Sequence, residues 1–148
     1  MKKTTLFLLL MMFSSLVYSQ SGIGIRGIFG YSDGSFGGAA LSYQSVGKFE
    51  INGAWSQKGY ALSGLKLWNL VETGMVNIYT GLGAGAGFND QLGEAQGVVM
   101  GDIGMGVSFG PVMFTLDMRP EYELIEPKGQ PWRFNFGFAI RAMFPTKE

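Results

Sequence analysis

Residues 132 to 144 read WRFNFGFAIRAMF and alternate with a period of two. Trp132, Phe134, Phe136, Phe138, Ile140 and Phe144 fall on one parity; Arg133, Asn135, Gly137, Ala139 and Arg141 fall on the other. A strand sends successive side chains to opposite faces, whereas a helix repeats every ~3.6 residues, so this run is a strand with one bulky apolar face and one small or charged face. The two runs before it follow the same rule. In 98–109, Val99, Ile103, Met105, Val107 and Phe109 oppose Met100, Asp102, Gly104, Gly106 and Ser108. In 112–124, Val112, Phe114, Leu116, Met118, Tyr122 and Leu124 oppose Thr115, Asp117, Arg119, Glu121 and Glu123.

The stretch GLGAGAGF at 81–88 has the same period with a barer second face, formed by Gly81, Gly83, Gly85 and Gly87. It is not a dinucleotide fingerprint, because the third glycine of G-x-G-x-x-G falls on Ala86 or Phe88. A flexible linker would carry serine and polar residues instead of Leu82, Ala84, Ala86 and Phe88.

Eight alternating runs lie near 23–31, 36–44, 49–56, 60–68, 76–88, 98–109, 112–124 and 132–144. Between them stand SDGS, SVGK, SQKG, NLVETG, NDQLGEAQG, GP and IEPKGQP, all rich in turn-forming residues. No segment sustains a helical period, and one domain accounts for the whole length. In the run near 60–68, Leu62 and Trp68 do not share a parity with Leu65 and Leu67.

Which face points inward is a separate question. A soluble lipocalin-like barrel is apolar inside; an outer-membrane barrel inverts this. Here the polar face is mostly Gly, Ala, Ser and Asn with almost no Lys, and only 15% of the chain is charged, against about 25% in an average soluble domain. That makes a poor water-facing exterior. The reading is therefore all-β, an eight-stranded antiparallel up-and-down transmembrane β-barrel. Phe114, Leu116, Phe136, Phe138 and Ile140 then face lipid. Tyr31, Trp55, Tyr60, Phe88, Tyr122 and Trp132 form one aromatic rim, and Tyr43, Phe49, Phe109 and Phe144 the other. The glycines of 81–88 face a narrow interior that side chains just fill.

The N-terminus fits export. Lys2 and Lys3 precede an apolar run, Leu6 to Val17, that is shorter than the ~20 residues of a membrane-spanning helix. Val17, Tyr18 and Ser19 suit a cleavage site. Residues 1–19 are expected to be a cleaved signal peptide and 20–148 the barrel domain, which belongs in the outer membrane.

Parity assigns lumen charges: Arg26, Lys66, Arg119, Arg133 and Arg141 against Glu50, Asp102, Asp117, Glu121 and Glu123. The balance of five and five suggests a closed polar core of ion pairs, whereas a selective pore more often shows one sign in excess. SFGPVM at 108–113 suggests a type II′ turn with Gly110 and Pro111 at its centre, pairing Phe109 with Val112 and setting Asp102 opposite Arg119.

The chain has no His and no Cys, which removes histidine-dependent triads and thiolate sites. No catalytic, cofactor-binding or metal-ligating residue is assigned and no enzyme activity is expected. Zero net charge implies no nucleic-acid partner.

INGAWSQKGYALSGLKLW at 51–68, with GIGIRGIFGYSDG near the start and GFAIRAMF near the end, resembles the PorT-like outer-membrane β-barrel family of Gram-negative bacteria. The resemblance implies location and fold. Most members have no assigned activity, and some serve secretion or gliding machinery. Phe144 resembles the C-terminal aromatic read by barrel-assembly machinery, but here Pro145-Thr146-Lys147-Glu148 follow it. The expected partners are outer-membrane lipid, the assembly machinery during biogenesis, and an unidentified protein at the extracellular loops near 32–35, 57–59, 89–97 and 125–131. The competing readings are a soluble periplasmic barrel binding an apolar ligand, a narrow pore, and an outer-membrane enzyme acting on lipid without histidine.

Overall fold

The computed structural model describes residues 21–30, 38–45, 49–56, 59–90, 93–125 and 131–144. The expected signal peptide, Tyr31, the loop at 32–35, positions 57–58 and 126–130, and the tail 145–148 lie outside the described residues. Eight strands follow in order: β1 Ser21–Gly30, β2 Gly38–Ser45, β3 Phe49–Ser56, β4 Gly59–Thr73, β5 Val76–Asn89, β6 Glu94–Phe109, β7 Val112–Glu123 and β8 Trp132–Phe144. Each pairs antiparallel with the next, and β8 closes on β1. The β1–β2, β3–β4, β5–β6 and β7–β8 connections lie at one end, here the upper; Ser21, Phe144 and the remaining turns lie at the lower.

The register fixes the shape. Ser21 leads through paired residues to Ser45, Phe49, Lys66, Leu82 and Gly101. The constant β6–β7 count continues to Pro120 and then Phe134, ten residues short of Phe144, the direct partner of Ser21. A stagger of ten over eight strands tilts them by ~41° and gives a Cα cylinder about 17 Å across. Such a lumen has room for side chains and little else.

The β6–β7 hairpin has the expected turn. Gly110 takes a φ of 56°, which an L side chain rarely adopts, and proline's ring suits Pro111 to the next position. Phe109 pairs with Val112, and one count holds as far as Val98 with Glu123.

Burial alternates along every strand, with apolar side chains outward. Ile25, Leu41, Leu62, Leu82, Ile103, Leu116 and Phe138 are all exposed around the middle of the barrel. Glu50 and Arg141 are wholly buried inside.

The middle strands depart from the sequence reading. NLVETG was expected to be a break, yet β4 runs on to Thr73 and pairs with β5 across a bulge between Asn69 and Val71. The loop expected at 89–97 is shorter, because Asn89 pairs with Glu94. The lumen also has an apolar wall. Leu65 and Leu67 of β4, Tyr79 of β5 and Met100 of β6 form a buried cluster with Val98 against it. The bare face of 81–88 makes room for it: a Cβ on Gly81 would meet Leu67, one on Gly85 would meet Met100, and Gly104 lies under the Tyr79 ring. At Gly83 a methyl group would be driven into the Gly64 carbonyl oxygen and the Leu65 backbone, which cannot swing aside. Gly83→Ala should therefore cost about 1–3 kcal/mol, the usual range for overpacking. A urea titration of the refolded barrel checks this, and an unchanged midpoint would contradict it.

Candidate functional site: a charge network across the lumen

The rest of the lumen surface, on β1, β3, β7 and β8 with Asp102 of β6, carries the charges. Glu50 on β3 is the hub. Arg119 on β7, four strands away and so across the barrel, donates from Nη2 to Glu50 Oε1 at 2.5 Å and to Asp102 Oδ2 at 3.0 Å. Arg141 on β8 donates from Nη2 to Glu50 Oε2 at 3.0 Å. Its remaining donors reach the hydroxyls of Ser42, at 2.7 Å, and Thr115, also at 2.7 Å. Arg26 on β1 forms a two-pronged pair with Asp117, from Nη1 to Oδ2 at 2.5 Å and from Nη2 to Oδ1, and lies 3.7 Å from Glu50 Oε1. That fork passes over Gly137, where any Cβ would collide with the guanidinium. Planar guanidinium groups suit such shared carboxylates because their donors form a fixed fork.

Charges removed from water require this degree of pairing. Three arginines converge on one carboxylate while Asp102 and Asp117 brace two of them, so the lumen is tied together at mid-height. Arg133 and Glu123 form a separate pair nearer the upper end, at 2.5 Å. Glu121 is half-buried on the same inward face and, with Arg133 and Asn135, lines the space above the network.

The structure thus brings Arg26, Glu50, Asp102, Asp117, Arg119 and Arg141 into one network and sets Glu121 and Arg133 above it. Lys66 does not belong. It is exposed on the outer surface, between Phe49 of β3 and Leu82 of β5. The cause is the β3–β4 hairpin: Trp55 pairs with Tyr60, which puts Lys66 on the same outward face as Phe49. The other parity of β4 carries Leu65 and Leu67 inward against the glycines. The five-to-five balance is corrected accordingly: Arg26, Arg119, Arg133 and Arg141 remain against Glu50, Asp102, Asp117, Glu121 and Glu123, four against five among the described residues.

The sequence reading put Thr115 and Asn135 on the polar face but named neither them nor Ser42 and Asn52 as neutral neighbours of the charges. Each sits on the inward parity of its strand, which was the available signal. Asn52 Nδ2 donates to Glu50 Oε1 at 2.8 Å. Above the network lies a cavity of about 80 Å³. Arg26, Asn52 and Arg119 are among the residues at its base; Glu121, Arg133 and Asn135 line one side; Ala54, Ala61, Gly85, Gly87, Val98 and Met100 line the other. Among the described residues, no cluster of three or more Asp and Glu is placed to hold a metal ion.

The fold and this interior define a closed eight-stranded β-barrel with its ionic groups inside and its apolar side chains outside. No protein-family model, curated protein or solved structure matches the chain.

Proposed function

We propose that the chain is a small integral outer-membrane β-barrel protein of the PorT-like kind, exported with loss of residues 1–19, whose closed polar lumen gives it a structural or interaction role and no catalytic one. The observation that carries this reading is the inverted burial. In water, the exposed belt from Ile25 through Leu62, Leu82 and Leu116 to Phe138 would be a continuous apolar surface far beyond what soluble monomers tolerate. In a bilayer the same belt is the lipid-facing surface. Exposed Trp55, Tyr60, Tyr122 and Trp132 gather toward the upper end, and exposed Trp68, Phe109 and Phe144 toward the lower, as interfacial aromatics would. The ~41° tilt lies in the range of membrane barrels. A soluble barrel for an apolar ligand would need the reverse arrangement. The ion pairs that cross the lumen at Glu50 argue against conduction.

Lys66 interrupts the belt. A cation facing lipid is costly near the midplane and cheap near the headgroups, and lysine's four-carbon stem carries its ammonium toward the nearer interface. Lys66→Leu should therefore stabilise the barrel in lipid vesicles by about 1 kcal/mol or more. Loss of stability on this change would contradict the placement of Lys66 against lipid.

The test of location is expression of the full chain in a Gram-negative host. The expected product is shortened at its N-terminus, sediments with outer membranes, resists carbonate washing and is released by detergent. Recovery in the soluble periplasmic fraction would overturn the reading.

A further inference from the structure

We infer that the cavity in the upper half of the lumen is a binding site for a small organic cation, specifically a short primary amine held by Glu121 and two asparagine carbonyls. Three observations converge on that class.

The first is the charge census. With Lys66 outside, five carboxylates share the interior with four arginines. Arg26, Arg119 and Arg141 are engaged by Glu50, Asp102 and Asp117, and Arg133 by Glu123. Glu121 is the carboxylate left without a described cation at ion-pair distance, and it lines the cavity.

The second is the pair of buried acceptors. Asn52 and Asn135 are 2% and 3% exposed and both line the cavity. Each has its Oδ1 buried without a hydrogen-bond partner. The Asn52 orientation is fixed by its Nδ2, which donates to Glu50, and Asn135 lines the same cavity as Glu121. Each amide oxygen is therefore left to accept. One carboxylate and two such oxygens around one space ask for a ligand with several donors and a positive charge, and an ammonium has three.

The third is the facing wall. Ala54, Ala61, Gly85, Gly87, Val98 and Met100 make most of this side apolar, with Ser63 and Gln96 the polar side chains among them, and the two glycines keep it open. An alkyl tail fits there, and about 80 Å³ is the scale of a short alkylamine. Both Nη groups of Arg26 and Nη2 of Arg119 are committed to carboxylates, and Arg119 Nε lies 3.3 Å from Asp117 Oδ1, although the Nε of each arginine is buried without a hydrogen bond. The cavity is formed by the barrel wall itself, so it exists whether the barrel sits in a bilayer or in water.

The test is NMR of the barrel refolded into detergent micelles, titrated separately with propylammonium, propanol and propionate at constant pH and ionic strength. The backbone amides of Gly85 and Gly87 and the side-chain amide of Asn135 report on the site. Propylammonium should shift them saturably, at concentrations at least tenfold below any effect of propanol, and propionate should not shift them. Glu121→Gln should weaken propylammonium binding about tenfold or more. Ala54→Leu fills the cavity from its apolar side without touching a charge and should abolish the shifts, which provides a test should the Glu121 variant fail to fold. Saturation by propionate, equal binding of propanol, saturation by no probe, or binding that survives Ala54→Leu would each overturn the inference.

Discussion

Glu50→Ala is expected to lower the unfolding free energy of the barrel by about 3–5 kcal/mol, the usual cost of removing one partner from a buried charge pair. Glu50 is wholly buried and accepts from Arg119 and Arg141, with Arg26 close by. Its removal leaves Arg141 with two hydroxyls and no carboxylate at ion-pair distance among the described residues, and leaves Arg119 with Asp102 and Asp117 alone. It also removes the strut between β3 and β7 on opposite walls of the cylinder. Alanine opens a void that neighbouring arginines cannot fill without water. Glu50→Gln keeps the shape and loses the charge, so it should fall between wild type and Glu50→Ala. Urea titration of the folded barrel, read by intrinsic tryptophan fluorescence, measures both. A Glu50→Ala barrel within 1 kcal/mol of wild type would mean that the hub does not hold the lumen together.

Phe138→Arg tests the outer surface as directly as Glu50 tests the inner one. Phe138 stands at the middle of β8, beside Leu116 of β7 and Gly27 of β1, and its ring is exposed. Near a bilayer midplane an outward arginine costs about 2–4 kcal/mol. On a water-exposed surface the same change would lie within about ±0.5 kcal/mol. The membrane reading therefore predicts a loss of at least 2 kcal/mol in vesicles, with Leu116→Arg behaving alike and Trp132→Arg, at the upper rim, costing far less. A neutral Phe138→Arg would place this face in water.

How much of this was legible in the sequence follows from the range of the interactions. The parity of β6, β7 and β8 was readable because each run alternates without interruption. Gly110-Pro111 fixed the β6–β7 register locally, and Arg119 does reach Asp102 as that register requires. The bare face of 81–88 was correctly turned inward. β4 was harder, since both parities of its upper part carry leucines. Treating charge as the mark of the inner face put Lys66 inside, whereas carrying the Trp55–Tyr60 pair across the hairpin would have placed it outside. Asn69, Glu72 and Thr73 read as turn residues, but pairing with β5 across a bulge overrides their local preference. The hub at Glu50 was beyond parity altogether. Which side chains meet across a lumen depends on the stagger with which the sheet closes, and that belongs to all eight strands together.

The central claim is that this barrel is folded for lipid. The most direct measurement dilutes residues 20–148, the barrel domain expected from the sequence, from urea either into buffer alone or into phosphatidylcholine vesicles, and follows unheated gel mobility and trypsin resistance. The expected result is a compact, trypsin-resistant band that forms only with vesicles and reverts to full-length mobility on boiling. A folded, monodisperse, protease-resistant monomer in buffer without lipid or detergent would contradict it.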